Sequence, residues 1–174
     1  MNAAQVLLQR IRSEGSIEGD IVKVDRFLNH MVDPRLIDLL AQDLAARFAE
    51  QAVTKVVTAE TSGIMLAMAM ASRLQLPFIY AKKKRPITMT SAYSASSYSF
   101  TKQESTTLYV SRDVLQANDR VLFTDDFYAQ GSTLEAIEEI VSQSGATLIG
   151  CAVIINKSTR RDIQSILNAD ALHG

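Results

Sequence analysis

Cysteine occurs once in this chain, at position 151, so no internal disulfide can form, which suits a reducing compartment. Cys151 lies in an apolar run and reads as core rather than as a nucleophile. No uninterrupted apolar stretch approaches the ~20 residues that a spanning helix requires, so no membrane segment is expected. The opening residues, MNAAQVLLQRIRSEG, break their apolar pattern with charges and offer no secretory core. Net charge is nearly absent, −1 over 174 residues, and gives no basic excess for coating a nucleic acid or a membrane surface. Internal repeats and low-complexity tracts are missing. So are the GxxxxGK[ST] phosphate loop, the dinucleotide fingerprint, and any Cys/His or Ser/His/Asp pattern that would support covalent catalysis. The expectation is a cytoplasmic protein with neither nucleic acid nor membrane as partner.

What remains is an ordinary globular composition, 47% apolar and 21% charged, over a length suited to one domain spanning 1–174. Val6, Leu7, Leu8 and Ile11 recur at helical spacing and stop at Gly15. Residues 20–24, DIVKV, suggest a short strand. Asp33-Pro34 is an N-cap followed by proline at the first helical position, and Leu36, Leu39, Leu40, Leu44 and Phe48 mark one helical face. TKVVTAE and FIYAKK read as strands around a buried helix, IMLAMAMASRLQL. Residues 86 to about 105 are rich in Ser, Thr and Tyr without visible period, which predicts an irregular lid or binding loop. TTLYV is a returning strand. VLFTDD is a strand closing on two acids, TLEAIEEIVSQSG a helix ending at Gly145, and TLIGCAVIIN a buried strand followed by a helix-like tail from Ser158. Continuous apolar strands alternating with helices imply an α/β fold with a parallel sheet covered on both faces.

In such sheets ligands gather beyond the carboxyl ends of the strands. Three of those ends are polar: Glu60-Thr61-Ser62-Gly63, Lys82-Lys83, and Asp125-Asp126 with the loop after them. A glycine loop running into a helix N-terminus suits a phosphoryl group, and the Ser132 and Thr133 hydroxyls add donors. The two acids are poor neighbours for a bare phosphate. They make sense if they accept a sugar's hydroxyls or help hold a cation. The cluster Lys82-Lys83-Lys84-Arg85 is either a solvated loop or a seat for an anionic small molecule.

The string VLFTDDFYAQGST resembles the phosphoribosyl pyrophosphate (PRPP) motif of the type I phosphoribosyltransferases. KVDRFLNHMVDP, TKVVTAETSGI, YAKKK, SYSFTKQ and INKS resemble the bacterial xanthine branch, in order and at its spacing, across nearly all of residues 5 to 158. The resemblance implies transfer of the 5-phosphoribosyl group from PRPP to a purine base, with xanthine preferred. It makes Asp125 and Asp126 the catalytic pair at the ribose hydroxyls. Ala129, Gln130, Gly131, Ser132 and Thr133 become the loop around the 5-phosphate. Thr61, Ser62 and Gly63 with Lys82 and Lys83 would meet the pyrophosphate. Val22, Asn29 and Lys157 would contact the purine. Mg²⁺, held mainly by PRPP and water, is the implied cofactor, with no direct protein ligand. The implied molecule is a homodimer with a flexible loop at about 85–109 and a small hood from its N- and C-terminal segments.

Ordinary alternatives stand beside these roles. Asn29 also suits a turn brace and Lys157 a strand-end counter-charge, while Tyr93 and Tyr98 fit either base stacking or loop anchoring. The phosphate loop reads AQGST where the xanthine branch more usually has asparagine before the glycine. From a different class comes a regulator that senses PRPP or a purine without catalysis. A plain nucleotide-binding domain leaves the paired acids unexplained.

Overall fold

The computed structural model describes residues 1–100 and 102–174. The first helix, α1 (Ala3–Glu14), begins with a reciprocal cap: Asn2 accepts from the Gln5 amide and Gln5 from the Asn2 amide. A hairpin of β1 (Ser16–Glu18) and β2 (Ile21–Lys23) follows, then a π-helical turn over Asp25–Asn29. In α2 (Pro34–Ala46) the Asp33 carboxylate accepts from the amides of Arg35 and Leu36, as the Asp-Pro pair predicts.

The remaining elements alternate. They are β3 (Lys55–Ala59), α3 (Ile64–Leu74), β4 (Phe78–Ala81), the hairpin β5 (Ala92–Ser99) and β6 (Glu104–Ser111), and β7 (Arg120–Tyr128). Then come α4 (Ser132–Ser144), β8 (Thr147–Asn156), β9 (Gln164–Asn168) and α5 (Ala169–His173). Five strands form one parallel sheet in the order β4-β3-β7-β8-β9. One face buries Leu122, Ala152 and Ile154 under α1, α2 and α3. The other buries Val57, Phe123 and Val153 under α4 and the β5–β6 hairpin. The expected α/β architecture with helices on both faces is present. From β3 the chain leaves through α3 toward one edge, and from β7 through α4 toward the other, so the switch in strand order lies between β3 and β7. That gap is where such sheets receive ligands.

Three local expectations are corrected. The segment expected to be irregular is paired: Ala92 to Ser99 run antiparallel to Glu104 to Ser111 without a break in register. Tyr93 and Ala95 face inward opposite Leu108 and Val110, while Ser94 and Ser96 face out, so a period of two is present but written in residues of low contrast. Thr101, inside the loop expected at 85–109, lies outside the described residues. Second, the acids do not close β7. The strand continues to Tyr128 because β8 runs beside it, pairing Asp125 with Val153 and Phe127 with Ile155. Third, the tail from Ser158 is not helical until Ala169. Ile166 and Leu167 bury into the core and carry β9 onto the sheet edge, where Arg47 holds the Ser165 carbonyl and the Gln164 side chain.

Candidate active site

The chain turns sharply after Tyr128. Gly131 adopts φ +83°, a left-handed conformation open to glycine, and becomes the N-cap of α4 without any capping side chain. The first-turn amides of a helix have no intrahelical acceptor, so those of α4 are left to a ligand. Behind the loop stands Tyr128. A side-chain carbon at Gly131 would lie 2.5 Å from its hydroxyl oxygen, so the ring props the turn directly. That hydroxyl accepts from the Arg160 guanidinium at 3.0 Å, and Arg160 is held in turn by Asp162. Asp162 and the Tyr128 hydroxyl push the Arg160 guanidinium above its ordinary value, so it stays charged.

Residues Ala129 to Thr133 line one cavity of about 210 Å³. Its remaining wall is Phe123, Asp125, Phe127, Tyr128, Leu134, Lys157 and the hairpin's Ser99 and Phe100. Lys157 places its ammonium 5.0 Å from the centre of the Phe127 ring and donates to the Asp20 carbonyl in the β1–β2 turn at 3.3 Å. A second cavity, about 270 Å³, shares Asp125, Ser99, Ser132 and Thr133 with the first. It adds Glu60, Ser62, Lys83 and Asp126 from the sheet rim, and Lys102 and Glu104 from the hairpin. The two therefore adjoin in one trough, with Ser99, Asp125, Ser132 and Thr133 as the shared stretch.

The paired acids are held differently. Asp125 Oδ1 accepts from the Asp126 amide at 2.8 Å, and Asp126 Oδ1 from the Phe127 amide at 2.8 Å. Burial first, and then the charge of Asp126 beside it, raise the Asp125 carboxyl well above the ordinary carboxylate range. The Asp126 amide and the more distant Lys83 charge offset this less. Burial also pushes the Cys151 thiol up to about 12, in keeping with core and not with a nucleophile.

Among the residues singled out in the sequence, Asp125, Asp126, Ala129 to Thr133, Ser62, Lys83 and Lys157 come together along this trough. Gly63 is buried at its edge, where a side-chain carbon would stand 2.9 Å from Asp125 Oδ1. The peptide bond between Glu60 and Thr61 is cis. Thr61 is exposed and lines neither cavity. Lys82 is not brought in. Its backbone pairs with Tyr109, and its ammonium lies 5.4 Å from the Tyr80 ring, beside a separate cavity at the β4 edge. Lys82 and Lys83 both lie past the end of β4: Lys82 is held by its pairing with Tyr109, while the Lys83 amide donates to the Glu60 carboxylate and the residue lines the second cavity. Val22 packs on the α1–α2 side of the core and lines neither cavity. Asn29 ends the π-helical turn with its side-chain oxygen buried and, among the described residues, without a hydrogen-bond partner. Tyr93 anchors the hairpin, its hydroxyl donating to the Leu115 carbonyl at 3.3 Å, whereas Tyr98 stays exposed and packs edge-on against Phe100.

Phe127, Tyr128, Ser99, Phe100 and Lys102 went unassigned on sequence. Strand alternation carried through Asp125 and Asp126 would have sent Phe127 and Tyr128 to different faces of β7. Ser99, Phe100 and Lys102 fall within the SYSFTKQ string and the loop expected at 85–109, but the sequence gives none of them an individual place in the site. The site offers amides and hydroxyls for one phosphoryl group, carboxylates for a diol, Lys83 and Lys102 for a second anionic group, and an aromatic ring beside an ammonium for a flat base. No three acidic, histidine or cysteine side chains gather as a metal cage among the described residues. No helix among them is long and apolar enough to cross a membrane.

Comparison with known proteins agrees with this geometry. The phosphoribosyl transferase domain model matches residues 24–166. A xanthine phosphoribosyltransferase of Geobacillus thermodenitrificans is 46% identical over 154 residues, covering 87% of this chain and 79% of the relative. One from Pseudomonas entomophila is 44% identical over 156 residues, covering 88% and 82%. Among solved structures, APRTase from Giardia lamblia complexed with 9-deazaadenine superposes with a TM-score of 0.77 at 22% identity, over 97% of this chain and 98% of that one. Adenine phosphoribosyltransferase from Rhodothermus marinus gives 0.73 at 24%, over 94% and 99%. At those identities the structural likeness speaks for the fold.

Proposed function

The chain belongs to the phosphoribosyl transferase domain family, and from that membership we propose that it transfers the 5-phosphoribosyl group of PRPP to a purine base, xanthine above the others. The observation that carries the reading is the trough, in which the whole loop from Ala129 to Thr133 lines one cavity, Lys83 and Lys102 line the adjoining one, and Asp125 lines both. A molecule bearing a phosphate at one end of a ribose and a pyrophosphate at the other spans those three features.

The reaction breaks the bond between the anomeric carbon and pyrophosphate and forms one to a purine nitrogen. Positive charge develops on the sugar and negative charge on the leaving group. Such a reaction asks for positioning and preorganised charge, with no protein nucleophile. Amides and hydroxyls from Ala129 to Thr133 fix the 5-phosphate. Asp125 and Asp126 receive the ribose hydroxyls and face the cationic sugar. Lys83, Lys102 and Ser62, with Thr61 and Gly63 flanking Ser62, meet the departing pyrophosphate as it gathers charge. Glu60, Asp125 and Asp126 line the second cavity and would accept hydrogen bonds from the water of a Mg²⁺ ion carried by pyrophosphate, which would supply charge to offset the leaving group. Phe127 offers its ring, and Lys157 its ammonium, to the base. The Asn29 oxygen, without a partner among the described residues, suits a purine N–H, and Val22 an apolar edge, once the β1–β2 hairpin and the π-helical turn close as a hood. The β5–β6 hairpin is the lid that keeps water from PRPP. We place the protein in the cytoplasm as a homodimer, with no nucleic acid or membrane partner. The apolar cavity at the β4 edge, lined by Phe78, Tyr80, Met89 and Val114, is a surface on which a second copy can seat.

Release of pyrophosphate by the purified chain, with PRPP and Mg²⁺ and each of xanthine, guanine, hypoxanthine and adenine in turn, tests this directly. Turnover with the highest kcat/KM for xanthine is expected. Turnover favouring another base removes the xanthine assignment, and none with any base removes the activity.

A further inference from the structure

Among the buried polar atoms left without a partner in the described residues, two are threonine hydroxyls on the central strands of the sheet. Thr58, on β3, and Thr124, on β7, are both fully buried, and neither hydroxyl has a hydrogen-bond partner among the described residues. A buried hydroxyl without a partner costs stability, and valine would fill the same space without that cost. Folded proteins leave few such groups, and those they keep call for a reason.

For Thr58 the surroundings supply one. A side-chain carbon at Gly63 would collide with Thr58 Oγ1 and stand 2.9 Å from Asp125 Oδ1. The hydroxyl, the carboxylate and the bare glycine therefore converge on one point, at the switch between β3 and β7. Asp125 Oδ1 already accepts from the Asp126 amide, yet a carboxylate has about four acceptor positions. The Thr58 hydroxyl is a neutral donor, shielded from water, that one rotation about its Cα–Cβ bond redirects.

We propose that Thr58 is a positioning residue for the transfer: in the substrate-bound state its hydroxyl donates to the Asp125 carboxylate and fixes the orientation in which that carboxylate receives the ribose hydroxyls. The inference rests on the function proposed above and extends it to a residue that touches no substrate. It also explains the absent partner. The hydrogen bond is made when the ligand turns Asp125, so the free chain carries a donor in waiting. Stability is given up in the free state for orientation in the bound one.

Thr58→Val keeps the shape and removes the hydroxyl, and Thr58→Ser restores it. Both are compared with the parent by PRPP calorimetry in Mg²⁺, by kcat and KM for PRPP and base separately, and by urea denaturation. We expect Thr58→Val to lose about 10- to 100-fold in kcat/KM for PRPP, the range for a hydrogen bond to a charged group, with KM for the base unchanged. Its urea midpoint should equal or exceed the parent's, and serine should recover most of the activity. Thr124→Val is the control: a higher midpoint and parental kcat/KM. Parental kcat/KM and PRPP affinity in Thr58→Val overturn the proposal. So does a serine variant as impaired as valine, since the methyl group would then be what matters. An equal loss in Thr124→Val overturns the assignment to Thr58. A urea midpoint for Thr58→Val below the parent's overturns it as well, because the hydroxyl would then have a partner in the free chain. Should the parent itself turn over no base, the function reading fails by that result alone, and PRPP affinity in Thr58→Val still decides the inference.

Discussion

Asp125 shows how a single carboxyl can be set against the fold that holds it. Burial and the neighbouring Asp126 lift it above the value it has in an unfolded chain. The sign follows from proton linkage. As pH rises from the unfolded value through the folded one, the unfolded chain gives up its proton first, and stability falls. At neutral pH the folded chain therefore carries a penalty that Asp125→Asn relieves. We expect that variant to show a higher urea midpoint than the parent at neutral pH, with the difference vanishing in acid, where both carboxyls are protonated. Its turnover should fall on the order of 10²–10³-fold, the scale of removing one preorganised electrostatic group. Paired denaturation and pyrophosphate-release measurements on one preparation check both. Equal stability of variant and parent across the pH range would sink the account of Asp125 as a carboxylate strained by burial and by the neighbouring charge.

At the scale of elements, the phosphate loop depends on a strut that no motif names. Tyr128 is the last residue of β7, its hydroxyl lies under Gly131, and Arg160 steadies that hydroxyl from beyond β8. Tyr128→Phe keeps the ring and removes the oxygen. The expected result is a rise of about tenfold in KM for PRPP with kcat little changed, read from initial rates, since the bond from a charged guanidinium is lost at the loop's support. This also marks where reading a sequence stops. Asp33-Pro34, the periodic leucines of α2 and the Gly145 terminus of α4 were legible because each acts on its own neighbours within a few residues. That the loop after β7 lines a cavity was legible because strand, glycine turn and helix start follow one another locally. The β5–β6 hairpin was not: Ser and Ala stand where contrast was needed, and its pairing partners lie outside any short window. The extension of β7 past the acids depends on β8, and β9 on the sheet edge and on Arg47, all distant in sequence. Lys82 and Lys83 look alike in the sequence and separate only once Lys82 pairs with Tyr109.

Across the whole molecule the sheet is fastened at the end opposite the trough. There Asp119 gathers Lys55 at 2.8 Å, the Thr54 hydroxyl at 2.9 Å and the Gln116 amide at 2.9 Å, joining the starts of β3 and β7. Burial raises this carboxyl, but Lys55, the Gln116 amide and the Thr54 hydroxyl together outweigh it, and it ends below the ordinary carboxylate range. Below that range the unfolded chain binds the proton more readily, so the contribution is present above it and is lost as pH falls through the folded value. Asp119→Asn should lower stability by about 2 kcal/mol at neutral pH and flatten the acid side of the stability curve, with kcat/KM preserved. A variant that loses turnover in proportion to stability would contradict the separation of clamp from site. The position of the switch between β3 and β7 has a further consequence, for synthesis. The two strands are neighbours in space, yet α3, β4 and the whole β5–β6 hairpin are translated between them. A chain leaving the ribosome N-terminus first carries its β3 loop long before the phosphate loop exists, and parallel pairing must wait for both. Binding competence therefore arrives late, so PRPP stabilises molecules in which both strands are paired and not shorter, partial ones.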